Sequence, residues 1–376
     1  MGRFELYFNF TNTPASIIIK IKKNIVKTQV AIYMSFTSEK RDQIKKYILE
    51  KIGDGQKDVA KRASEAFNVS LNTIYRYIRE LEKAEIISKN ARTYTFVEDT
   101  KIFVLTRTDG QLDEEDIIYA KYIKKYIEKL PDNVKQIWQY SFMEMMNNAI
   151  DHSQAEKVFI LIAQNYMNTT IAIYDEGIGI FKKIKDYYNY DSLDDAVNEL
   201  FKGKLTTDTK NHSGEGIFFT SRILDDFLAL SDGKIFSHNK YEDIAQDIKE
   251  IDSLKEWANQ RGTVIFMRLS NYSKKVLKEV FDMFADIDGG FIKTRIPIKN
   301  IYETYPVSRS QAKRLYNRFD KFQEIELDFS GIEEIGQGFA HELFVVFTRE
   351  HPNVKLSPLN ISKEVEKMIN HVKNGN

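Results

Sequence analysis

Glu144, Asn148 and Asp151 recur at the three- and four-residue spacing that puts side chains on one face of a helix, within Glu144-Met145-Met146-Asn147-Asn148-Ala149-Ile150-Asp151-His152-Ser153. A carboxylate and a carboxamide one turn apart, among Phe142, Met145, Met146, Ala149 and Ile150, suit a partly buried ligand that carries a metal. The amide oxygen can ligate a hard cation, and the carboxylate can take a proton from water. Further along, Asp175-Glu176-Gly177-Ile178-Gly179 follows an apolar, β-branched run. Its glycines leave the backbone bare where a side chain would obstruct a flat ligand. Its carboxylate can accept a hydrogen bond from an exocyclic amine such as that of adenine. Ser213-Gly214-Glu215-Gly216-Ile217 then opens an apolar helix whose first amides can meet phosphate. Arg261-Gly262-Thr263 starts a strand from which the Thr263 hydroxyl can bond to a base.

These groups need elements to hold them. A helix over 134–152 carries the first group, after a helix over 114–129 (Ile117, Ile118, Tyr122, Tyr126, Ile127) that Pro131 stops. Residues 158–163 and 170–174 read as strands joined by Asn165-Tyr166-Met167-Asn168, a hairpin signal. Residues 99–113, rich in Thr and Asp, read as a connector. The helix opened at Gly216 is expected to run through Ile223, Leu224 and Phe227.

Taken together, Glu-x-x-x-Asn-Ala, Asp-x-Gly-x-Gly, Gly-x-Gly and Gly-Thr, in this order and spacing over about residues 114–270, resemble the Bergerat-fold ATPases. That superfamily includes gyrase, the histidine kinases, mismatch-repair ATPases and a heat-shock chaperone. The resemblance implies an α/β sandwich with a mixed sheet, and ATP and Mg²⁺ as cofactors. Carried over box by box, it implies that Asn148 ligates Mg²⁺ bridging the phosphates and that Asp175 reads adenine. Gly177, Gly179, Gly214 and Gly216 would let the backbone close on the nucleotide, Thr263 would lie beside the base, and Asp151 is counted with the cofactor-binding residues. Residues 181–213 would form the lid, with Lys204, Thr206, Thr207 and Lys210 facing phosphate. Glu144 matches the general base of the hydrolysing members; kinase members carry an acid there without using it for hydrolysis, so a structural role stays open. His152 reads as a helix-end residue and not as a phosphoacceptor. The absence of Gly-x-x-x-x-Gly-Lys-[Ser/Thr] argues against a P-loop enzyme.

Upstream, helices are expected over 39–52, 56–67 and 71–84, with Ser70 capping the third. A hairpin of Ile86-Ile87-Ser88 and Tyr94-Thr95-Phe96 follows. Helix, tight turn, helix is the geometry that delivers a second helix to the DNA major groove. Residues 38–98 resemble winged helix-turn-helix regulators, and Asn72, Tyr75, Arg76 and Arg79 on the outer face of the third helix have suitable chemistry for bases and phosphates. A module for protein contacts is the alternative, since Glu80, Glu82 and Glu85 dilute the positive charge. Residues 1–37 form an extension with two readings: an extra β-segment, or sequence upstream of the true start codon, with a fresh beginning at Met34.

Beyond Ser270, helices over 274–286, 310–319, 338–349 and 362–372 alternate with strands at 291–296, 324–329 and 354–356. Leu327-Asp328-Phe329-Ser330-Gly331 and Phe339-Ala340-His341-Glu342-Leu343-Phe344 make residues 273–376 look like a STAS-like α/β domain of unknown function. Related anti-sigma-factor antagonists are phosphorylated on a serine just before that helix; here Gly336-Gln337-Gly338 offers no hydroxyl.

The 376 residues exceed one ordinary core, and 42% apolar content is enough to build several. Acidic and basic residues balance at 55 each, so any DNA contact must come from a local patch. With no cysteine, disulfides, thiolate nucleophiles and Cys-based zinc sites are ruled out. No apolar run approaches the roughly 18 residues of a membrane helix, and Ile17-Ile18-Ile19 is broken by Lys20, so a cytoplasmic location is expected. The expectation is thus a multidomain α/β protein: residues 38–98 a winged helix-turn-helix, 99–272 a Bergerat ATP site and 273–376 a STAS-like domain. It would act as an ATP- and DNA-binding regulator, with a homodimer and a protein partner of the STAS-like domain as further candidates. A serine protein kinase resembling the anti-sigma-factor kinases is one alternative. A DNA-processing ATPase of a defence or mobile-element system is another.

Overall fold

The computed structural model describes residues 38–91, 93–205, 215–237, 261–285, 290–302 and 304–374. The N-terminal extension, Thr206, Thr207, Lys210 and Gly214 lie outside the described residues. The chain forms two compact units: the described residues up to Glu98 with Asn165–Met167, and Asp99–Gln164 with the residues from Asn168 on.

In the first unit, helices Ser38–Gly53, Val59–Phe67 and Leu71–Lys83 precede a hairpin of β1 (Ile87–Asn90) and β2 (Thr93–Phe96). The helical spacing is realised as expected: Ile44, Ile48, Ile52, Ile74, Ile78 and Leu81 are buried, and Tyr77 joins them. Asn68 takes a left-handed conformation (φ 48°) that stops the second helix. Ser70 Oγ then accepts the Thr73 N–H at 3.3 Å, satisfying one orphan amide of the third.

The second unit holds a six-stranded sheet in the order β3-β4-β5-β8-β6-β7. Its strands are β3 (Asp99–Thr106), β4 (Lys157–Gln164), β5 (Asn168–Asp175), β6 (Asp226–Ser231), β7 (Lys234–Ser237) and β8 (Thr263–Ser270). The expected mixed sheet is corrected: all five pairings here are antiparallel, because β8 separates β5 from β6. The expected connector at 99–113 is corrected as well. Asp99 to Thr106 pair with β4 along its whole length, and the polar residues that suggested a loop flank an apolar centre, Ile102-Phe103-Val104-Leu105. The helix at Gly216 ends at Ile223, and Phe227 belongs to β6, whose six residues are all buried. A continuous apolar run of that length cannot be told from helix by periodicity. Helices Asp132–Asn147 and Gly216–Ile223 share a core with one face of the sheet, including Trp138, Phe142, Met146, Phe218, Ile160, Ile171 and Met267.

The C-terminal part of this unit has a parallel sheet, β11-β10-β9, from β9 (Lys293–Pro297), β10 (Glu324–Asp328) and β11 (Lys355–Leu359). Ser308 and Gln311 form a capping box on helix Arg309–Tyr316. The junction with the rest of the unit is built from charge. Lys202, at the end of helix Leu193–Lys202, is 1% exposed, and its Nζ donates to Glu199 Oε1 (2.6 Å) and to the Asn317 and Arg314 carbonyls (3.0 and 3.3 Å). Arg318 gives Glu199 a second cation at 2.9 Å and also bonds the Lys204 carbonyl. Arg222 lies 3.3 Å from the Phe218 ring centre and donates to the carbonyls of Phe201 and Arg295.

Candidate functional site

Sheet register assembles the site. Asp175 on β5 lies directly opposite Thr263 on β8, which lies opposite Ser231 on β6, so three polar side chains form a row at one end of the sheet. All three are buried, at 5%, 6% and 1% exposure, and polar groups so placed must find partners. Asp175 Oδ1 accepts the Gly177 N–H at 3.0 Å. Thr263 Oγ1 and Ser231 Oγ share the Ile180 N–H at 3.0 and 3.2 Å, and Ser231 bonds the Gly262 carbonyl at 2.7 Å. Burial pushes the Asp175 carboxyl up to about 6, against the amide bonds of Gly177 and Thr263 and with a smaller push from Asp232. Gly262, at φ +103°, passes so close that a β-carbon there would fall 1.8 Å from the Asp175 carbonyl oxygen. Neither the conformation nor the space admits another residue.

The helical side of the site connects to this row. Asn148 begins a wide i→i+5 turn, Asn148–His152, that ends helix Asp132–Asn147; such turns recur at functional sites. The wider turn changes the phase of the helix after Asn148. Glu144 and Asn148 are half-buried while Asp151 is exposed. The chain then returns to the sheet, where the Ser153 carbonyl accepts the Ile178 N–H at 2.9 Å and the His152 carbonyl accepts the Lys183 ammonium at 3.0 Å. Glu144 closes the circuit on the other side, its carboxylate lying against the bare backbone of Gly216. Burial raises the Tyr140 hydroxyl far above its ordinary range, with Glu144 and Glu215 as neighbouring negative charges.

Glu144, Asn148, Asp175, Gly177, Gly179, Gly216 and Thr263 therefore belong to one connected set of elements, whereas Gly214 lies outside the described residues. A glycine-lined backbone beside a buried carboxylate can hold a flat, amine-bearing ring. Among the described residues no three His, Cys, Asp or Glu cluster to hold a metal. A cleft of about 530 Å³ lies elsewhere, lined by Asp116, Tyr119, Lys124, Asp132, Gln139 and Met143, and none of the candidate residues lines it. Sequence reasoning missed Ser153, Ser231 and Asp232. Asp232-Gly233 between two apolar runs is a hairpin signal that would have placed the last two.

In the first unit, Asn72, Tyr75, Arg76 and Arg79 are all exposed on helix Leu71–Lys83, opposite its buried stripe. The Arg76 guanidinium sits 5.1 Å from the Tyr77 ring centre. Among the described residues no helix is long and apolar enough to cross a membrane.

No curated protein matches the chain. Residues 311–366 match the family described as a STAS-like domain of unknown function (DUF4325), and the C-terminal region with β10 and β11 therefore carries a STAS-like domain.

Proposed function

We propose that this chain is an ATP-binding, DNA-binding regulator. It combines a winged helix-turn-helix over 38–98, a Bergerat-fold nucleotide site over 99–272 and a STAS-like domain over 273–376. The observation that carries the nucleotide reading is the continuity of motifs far apart in sequence: Glu144 against Gly216, Ser153 bonded to Ile178, and Asp175 opposite Thr263. In this reading Asp175 accepts the exocyclic amine of adenine, the glycine backbone lies along the nucleotide, and Asn148 would hold Mg²⁺. The ion, when bound, neutralises phosphate charge. Glu144 orients and deprotonates water if the nucleotide is hydrolysed. Occupancy of the site would shift domain or dimer geometry and thereby the affinity of the exposed Asn72, Tyr75, Arg76 and Arg79 face for DNA.

Calorimetry with Mg²⁺-ATP tests the reading. Wild-type protein is expected to bind, and Asn148→Ala to lose the Mg²⁺-dependent part of the affinity. Equal affinity in the two proteins removes the site assignment.

A further inference from the structure

The turn between β6 and β7 is Asp232-Gly233, with φ of 54° and 73°, the paired left-handed conformation of a two-residue hairpin. That turn accounts for the backbone of Asp232 but not for the placement of its carboxylate. Asp232 Oδ2 accepts the Lys182 N–H at 3.0 Å and lies 2.8 Å from Ser231 Oγ, competing with the Gly262 carbonyl for its one proton. Both carboxylate oxygens crowd Gly179, where a β-carbon would come within 2.5 and 2.6 Å of them.

Helix Ile180–Tyr188 begins after Gly179, which has no side chain with which to cap it. Amides of its first turn are met by groups remote in the chain: Ile180 by Thr263 of β8 and Ser231 of β6, Lys182 by Asp232 of the β6–β7 turn. A carboxylate at a helix N-terminus also has the favourable sign of charge. The segment Gly177-Ile178-Gly179 is thus fastened at its front by Asp175 and the Ser153 carbonyl, and at its back through the helix that Asp232 holds.

We propose that Asp232 is a positioning residue that sets purine selectivity, a role that rests on the nucleotide site proposed above. By pinning the back of the 177–179 segment, it fixes the gap between that backbone and the Asp175 carboxylate. Adenine presents an amine donor at that edge, whereas guanine presents a carbonyl that a carboxylate repels.

The test uses the full chain with Asp232→Gly and Asp232→Asn. Glycine keeps the positive φ of the turn and removes the acceptor; asparagine keeps both the turn and an acceptor oxygen. In Asp232→Gly, hydrogen exchange without ligand is expected to be about tenfold faster over Ile180–Lys182, ATP to bind about tenfold more weakly, and the preference for ATP over GTP to narrow. Asp232→Asn should stay within about threefold of wild type in each measurement. Unchanged exchange and unchanged preference in Asp232→Gly, with ATP still bound by the wild type, overturn the role of Asp232 alone. Wild-type protein that binds no purine nucleotide overturns the underlying site together with it.

Discussion

A β-carbon placed on Gly216 would fall 2.2 Å from Oε2 of Glu144, so the carboxylate rests against bare backbone at the start of helix Gly216–Ile223. Replacing glycine with alanine within a helix favours it by about 1 kcal/mol on propensity alone. Gly216→Ala is nevertheless expected to destabilise the protein by roughly 1–3 kcal/mol through crowding. In a Glu144→Ala background the same substitution should be neutral or stabilising. Urea unfolding of the four proteins in a double-mutant cycle measures the coupling, and additive effects would rule the contact out.

Glu144→Ala also separates mechanisms. Under the proposed reading, ATP binding survives and phosphate release slows by roughly 10² to 10⁴. Lost binding would make Glu144 structural. Negligible turnover in both proteins would leave ATP as a ligand or a phosphate donor.

Asp175 gives a pH dependence with a definite sign. Its folded carboxyl lies near 6, above the ordinary 3.8, so its neutral form is favoured by folding. The contribution to stability is fully present below about 4 and is lost as pH rises through about 6, on the order of 3 kcal/mol in total. Affinity for ATP runs the other way, since the amine acceptor is the carboxylate. Binding titrations from pH 5 to 7.5 should strengthen through about pH 6 in the wild type more than in Asp175→Asn, whose amide cannot titrate. Parallel profiles for the two would mean that Asp175 does not touch the base.

Lys202→Met should cost roughly 3 kcal/mol in urea unfolding, because it strips one cation from a buried network and leaves the Arg314 and Asn317 carbonyls without their donor. Burial lowers the Lys202 amine and the Glu199 carboxylate opposes that shift, which makes the pair interdependent. An unchanged urea midpoint would show that the junction is not held by this charge.

Arg76→Ala with Arg79→Ala should weaken DNA retention and flatten its salt dependence while leaving ATP affinity unchanged. Undiminished retention at low salt would favour protein contacts for this face.

Much of this organisation was legible. Helical spacing and the Ser70 cap placed the three N-terminal helices, and two apolar, β-branched runs on either side of the Asn165–Asn168 link placed β4 and β5. Asp175 and Gly177 were legible as the end of a strand and the turn after it, since an apolar run that closes on a carboxylate and a glycine marks such a turn. Other features were hidden for physical reasons. β3 is an edge strand with polar ends, β6 is buried throughout and so lacks a period, and the wide turn at Asn148 depends on packing that no local signal encodes. Ser231 and Asp232 acquire their partners only through the β8 register, which brings together residues remote in the chain.

That strand order also sets a timetable. β8 leaves the ribosome after the other five strands, yet it lies between β5 and β6. Until residues 263–270 have emerged, β5 and β6 lack the strand that pairs with both, and Asp175 lacks its cross-strand neighbour Thr263. A nascent chain in that state carries open edges prone to wrong pairing. Insertion of β8 seals both edges and brings Asp175, Thr263 and Ser231 into one row in a single step, so this polar row is among the last features of the sheet to form.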